Sequence, residues 1–147
     1  MSKKRGNRRL SRELALRALY QWLLTGDDLP RLLVQAEEAE EYADANGEFL
    51  KALLTGTIAA VESLDRSLGT HLDRPVAQLS PIEHGILLLG AFELTHSLDV
   101  PYRVVINEAV DLAKRYGGTD GHKYVNGVLD KLAKDTRRIE IDAAAGR

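Results

Sequence analysis

Almost every stretch of this chain spaces its apolar residues three and four apart, and none alternates them every second residue over a strand's length. That periodicity builds helices packed through one face and leaves nothing from which to assemble a sheet. Leu16, Leu19, Tyr20, Leu23 and Leu24 follow the spacing of a buried stripe, which Gly26 ends. A short second helix is expected from Leu29 to about Ala43. Its EEAEEYADANGE half is acidic and loosely patterned, and reads as a solvated face running into a connector. Asn46 offers a cap for a long third helix, in which Phe49, Leu50, Leu53, Leu54, Ile58, Val61, Leu64 and Leu68 keep one face apolar. Ser80-Pro81-Ile82-Glu83 is the clearest start in the chain, with a cap serine, proline at the first helical position and glutamate three residues after the cap. Behind it, Ile86 to Phe92 is apolar on all sides, as in a helix buried all round, with Gly85 and Gly90 permitting close contacts. Asp99-Val100-Pro101 breaks the chain. A further helix carries Val105, Ala109, Leu112 and Tyr116, and Gly117-Gly118 stops it. The last runs from about Asp120 through Val125, Val128, Leu129 and Leu132, passing through Asn126-Gly127, where the glycine is expected to let a neighbouring helix come close. The fold class is all-α. One domain over residues 1–147 is expected, a compact bundle of about six to seven helices, with a basic arm over 1–9 and a mobile tail over 135–147.

The chemistry of catalysis is hard to find. The chain has no cysteine, which removes disulfides, thiolate nucleophiles and zinc–sulfur sites together. His71, His84, His96 and His122 lack metal-binding spacing and read as surface or packed side chains. GGTDGHK imitates a phosphate loop, yet Tyr124 follows its lysine and no strand precedes it. Its glycines read as a helix stop, and Thr119 or Asp120 as the next N-cap. Glu108 and Asp111 lie one turn apart, but Arg115 follows Asp111 at the spacing of a surface ion pair. No catalytic residue, metal or cofactor is expected. No apolar run approaches the ~20 residues of a membrane span, and Arg17 interrupts LALRALYQWLL, so a cytoplasmic protein is the expectation.

Charge is distributed unevenly. The formal net charge is -2, yet residues 1–17 hold Lys3, Lys4, Arg5, Arg8, Arg9, Arg12 and Arg17 against the single acid Glu13. KKRGNRR has no bulky apolar residue before Leu10, which suits nucleic acid better than a membrane surface. The competing reading is a solubilising tail. A second candidate is Gly118 to Tyr124, where a helix N-terminus presents backbone N–H groups, Lys123 adds charge, and Tyr124 offers a ring for an unstacked base. Tyr124 also has the position of a core residue, one turn from Val128, and spacing alone leaves both open.

DVPYRVVINEAVDLAKRYGGTDGHKYVNGVLDKL, over residues 99–132, closely resembles the C-terminal signature of the NusB family of bacterial transcription antitermination factors. RRLSRELALRALYQW and SPIEHGILLLGAFEL are similar to the family's other two signatures, in order and spacing. The resemblance implies two packed helical subdomains. It implies binding to the boxA element of ribosomal RNA leader transcripts jointly with NusE, a small-subunit ribosomal protein, and with other Nus factors on RNA polymerase. By position it assigns RNA contacts to Arg8, Arg9, Arg12, Asp120, Lys123 and Tyr124, and NusE contacts to Tyr20 and Glu83. Glu83 thereby has two expected roles, its capping box and the partner. Many relatives carry an arginine where this chain has Leu88, which would narrow the basic surface. NusB-like domains also occur in ribosomal RNA cytosine methyltransferases. Against that alternative stand the missing cysteine, the opening methionine and the closing tail, from which a complete chain is expected. A protein-only helical scaffold is the other alternative.

Overall fold

The computed structural model describes residues 6–146; Lys3, Lys4 and Arg5 of the basic arm lie outside them. Among the described residues are eight α-helices and two short 3-10 turns, with a single bridge, Asn7 to Ala45, in place of any strand. The chain divides into two units, one reaching to Ala59 and the other starting at Ala60.

In the first unit, α1 (Arg8–Thr25) packs on α2 (Leu29–Glu38) and on α3 (Gly47–Ala59), with a 3-10 turn at Glu40–Asp44. Leu14, Leu16, Leu19, Leu32, Leu50 and Leu54 are all but fully buried. Gly26 ends α1 in the left-handed conformation, its N–H bonded to Trp22 O at 2.8 Å. The stripe read from the sequence extends too far. Tyr20 and Leu24 are 36% and 55% exposed, because the buried part of α1 lies between Ser11 and Leu19. The acidic connector is also more than a solvated face. Its Asp44 O accepts from Asn7 N at 2.8 Å, Ala45 is buried, and the Arg17 guanidinium holds Glu41 at 2.9 Å and keeps its carboxyl below the usual range.

The long third helix is two helices. α3 stops at Ala59, and α4 (Val61–Gly69) restarts after Ala60, whose φ of -103° and ψ of 11° leave the helical region. The apolar period runs through the break, and alanine carries no stop signal, so the sequence hides the boundary.

In the second unit, α5 (Pro81–His96) is the axis, with every residue from Gly85 to Ala91 buried, Leu88 among them at 0% exposure. That burial removes position 88 from the surface of this chain. α6 (Tyr102–Tyr116) and α7 (Gly121–Thr136) pack on α5 and on each other, and α4 packs on α5. Gly90 is needed for this approach, since a Cβ there would sit 2.7 Å from Leu129 Cδ1. Gly127 does not admit a neighbour; it is exposed and faces open space. His84 binds Asp65 and His71 binds Asp135, each at 2.7 Å, so both histidines act as struts of the fold.

Residues 135–147, expected as a tail, contain α8 (Arg138–Ala145) and a buried arginine before it. Arg137 donates from Nε to Leu94 O at 2.8 Å, and from Nη2 to Glu93 O and Ser97 O at 3.1 and 3.0 Å. These carbonyls lie at the end of α5, where a cation is favourably placed; Glu93 O and Ser97 O also accept from Ser97 N and Val100 N, at 3.0 Å each.

Candidate nucleic-acid interface

The basic block begins its helix under tight local control. Asn7 Oδ1 caps α1 by accepting from Leu10 N at 3.1 Å, and Asn46 Oδ1 caps α3 by accepting from Phe49 N at 3.0 Å. Ser11, fully buried, ties the two starts together: its hydroxyl accepts from Asn46 N at 2.8 Å and donates to Asn46 O at 2.8 Å. Just ahead, Gly6 has φ +35°, and a Cβ there would lie 2.3 Å from Ala45 O, so no other residue fits without moving backbone. The described end of the arm is therefore anchored to the connector before Asn46.

This anchoring aims the arginines. Arg8 lies over the Phe49 ring, its guanidinium 4.4 Å from the centroid, and Arg12 lies over the same ring at 5.0 Å. Arg8 and Arg9 are exposed; Arg12 is only 5% exposed. Of the three candidates, two present their charge to solvent and the third lies within the wall behind them. Phe49, read from the sequence only as a core position, is the ring on which this cluster is built. Tyr20 stands exposed two turns further along α1, separate from the arginine cluster.

In the second unit, Asp120 occupies the N-cap position of α7 without making a side-chain cap bond. Its carboxylate instead lies 3.7 Å from Lys123 Nζ, both side chains being about three-quarters exposed. Tyr124 is half-buried, and its hydroxyl is buried without a hydrogen bond of good geometry. Tyr124 is thus neither fully packed nor fully open to solvent. The Arg74 guanidinium covers its ring, 4.6 Å from the centroid. Asp73 grips Arg74 through two bonds, Nε to Oδ1 at 2.6 Å and Nη2 to Oδ2 at 3.1 Å. That guanidinium, with help from the nearby Tyr124 hydroxyl, holds the Asp73 carboxyl down to about 2. Burial and the neighbouring Asp73 charge push the Tyr124 hydroxyl above its ordinary range.

Glu83 joins this group. Ser80 Oγ accepts from Glu83 N at 3.2 Å, but the Glu83 carboxylate forms no return bond to Ser80. It faces the start of α7 instead: a Cβ on Gly121 would be 3.1 Å from Glu83 Oε2. An acid beside a helix N-terminus is favourably placed. The structure therefore brings Glu83, Asp120, Lys123 and Tyr124 to one end of α7, and Arg8, Arg9 and Arg12 to the start of α1. Among the described residues, no group of three or more His, Asp or Glu side chains is arranged to hold a metal ion, and no helix is long and apolar enough to cross a membrane.

The NusB family model matches residues 9–134, which take in all three stretches except Arg8 at the start of the first. The chain belongs to the NusB family. The transcription antitermination protein NusB of Thiobacillus denitrificans is 48% identical to it, over 97% of this chain and 98% of the relative. The NusB of Paraburkholderia phymatum is 54% identical over 94% and 95%. Among solved structures, T. maritima NusB superposes with a TM-score of 0.78 at 30% identity, covering 88% of this chain and 92% of that one. A crystal structure of the antitermination factors NusB and NusE in complex with double-stranded RNA matches with a TM-score of 0.75 at 28% identity, over 87% and 96%. As a NusB-family member the chain is a transcription factor by lineage. Sequence reasoning missed Arg74 and Phe49, the residues that cover or carry its candidate contacts. An Asp-Arg pair in a loop and a Phe in an apolar stripe gave no distinguishing signal.

Proposed function

We propose that this chain is a non-enzymatic, cytoplasmic RNA-binding antitermination factor. It binds the boxA element of ribosomal RNA leader transcripts together with NusE, and helps keep RNA polymerase processive in company with other Nus factors. The observation that carries this reading is near-full-length similarity to transcription antitermination proteins at about half identity. Likeness to a NusB held with NusE and RNA supports the partners. Residues 1–147 act as one domain in this proposal. Arg8, Arg9 and Lys123 supply exposed charge to phosphates, Arg12 positions Arg8 from beneath, and Tyr124 receives a base. Asp120 moderates Lys123. Tyr20 and Glu83 face NusE.

Fluorescence anisotropy with a short single-stranded boxA RNA tests the proposal. Affinity should fall steeply as salt rises, exceed that for a scrambled RNA, and improve when NusE is added. Equal affinity for both RNAs, with no gain from NusE, would favour a protein-only scaffold instead.

A further inference from the structure

The ring offered to a base is already occupied. Arg74, from the loop that follows α4, lays a flat cation on Tyr124, and Asp73 fixes that cation by two parallel bonds. The side chains of Arg74 and Asp73 are 41% and 63% exposed, so the cover lies at the surface and can swing outward without disturbing the core. A guanidinium and a nucleobase are both planar, and both stack on aromatic rings. One can therefore replace the other.

We propose that Arg74 is an RNA-contacting residue: in the free protein it shields the Tyr124 ring, an incoming base displaces it, and the freed guanidinium takes a backbone phosphate, with Asp73 as the brake on this exchange. The proposal rests on the reading of Tyr124 as a stacking platform. Released Arg74 keeps its charge at any accessible pH and has the fork geometry that suits phosphate oxygens. Asp73 opposes the exchange in two ways. It must surrender its partner, and it leaves an acid beside the RNA. Only the first depends on Arg74, so the two are separable by experiment. Glu83, whose charge also bears on Arg74, and Lys123 and Asp120 at the start of α7 complete the charged surroundings.

The test is a set of anisotropy titrations of the full chain with single-stranded boxA RNA. It compares the parent with Asp73→Asn, Arg74→Ala, the double variant and Tyr124→Leu, folding being checked by circular dichroism. Asp73→Asn should tighten binding about two- to fivefold, the scale of one exposed ion pair. Arg74→Ala should weaken binding and make the slope of log affinity against log salt shallower by about 0.7, one phosphate on a single strand. In the Arg74→Ala background the gain from Asp73→Asn should shrink to less than half. A gain of equal size in both backgrounds makes Asp73 a plain repulsive charge and overturns the brake. Unchanged affinity and slope in Arg74→Ala, while Tyr124→Leu still weakens binding, overturn Arg74's role alone. Unchanged affinity in Tyr124→Leu overturns the stacking platform itself and the cover with it.

Discussion

Arg9 and Arg12 stand three positions apart on α1, yet they meet different surroundings, and their variants should fail differently. Arg12 is buried over the Phe49 ring, so Arg12→Ala removes packing as well as charge. It should cost about 1–2 kcal/mol of stability, read as a lower melting temperature, in addition to weaker RNA binding. Arg12→Lys keeps the charge but loses the planar stack, and should recover less than half of the stability. Arg9 is exposed, and Arg9→Ala should weaken RNA binding while lowering the melting temperature less than Arg12→Ala does. A stable Arg12→Ala protein would remove the positioning role assigned to Arg12. In the second unit, Asp120 lies 3.7 Å from Lys123 and partly neutralises it. Asp120→Asn should therefore tighten RNA binding; unchanged or looser binding would mean that Lys123 contacts no phosphate.

The elements meet at a knot the sequence does not announce. Arg137 collects three carbonyls from the end of α5 and bonds Glu140 Oε1 at 2.6 Å, while Glu140 Oε2 accepts from Tyr102 N at the start of α6 at 3.0 Å. Two side chains thus close one helix end and open the next. Arg137→Ala removes a buried cation and its bond to Leu94 O, while Glu93 O and Ser97 O keep their backbone donors, and should cost about 2 kcal/mol in a denaturant melt. Burial alone would raise the Glu140 carboxyl, but the Tyr102 N–H and the Arg137 guanidinium outweigh it and hold it below the ordinary range. A depressed carboxyl contributes stability above its unfolded value, about 4.3, and loses it as pH falls through the lower folded value. Glu140→Gln should accordingly be less stable than the parent at neutral pH, and the difference should vanish in acid. A gap that persists at low pH would assign the effect to packing. The contrast with the helix starts explains what was legible. Asn46 and Ser80 were readable as caps because a cap bonds its own helix three residues on. Arg137 reaches partners 40 or more positions away, and Arg74 finds its ring fifty residues downstream, so no local pattern encodes either. The break at Ala60 stayed hidden because the apolar period runs through it and alanine carries no stop signal.

For the whole molecule, the decisive quantity is how little positive charge the chain can spare. With a net charge of -2, no general field holds RNA to its surface, and attraction must come from local cations. Those of the N-terminal block fall into two groups. Arg8 and Arg9 leave a helix start fixed by Asn7, Ser11 and Gly6, which gives their charges a defined place. Lys3, Lys4 and Arg5 precede that anchor in sequence. Phosphate contacts that carry no base information raise affinity for every sequence alike. Replacing Lys3, Lys4 and Arg5 together by alanine in the full chain should therefore weaken boxA and scrambled RNA by the same factor. It should also make the salt slope shallower by at most about 2, three phosphates on a single strand. Arg9→Ala, by contrast, should lower the ratio of boxA to scrambled affinity, because a fixed charge sets the register in which bases are presented. If the triple variant lowers that ratio as much as Arg9→Ala does, the anchor at Gly6 does not divide the block, and all its cations act as one arm.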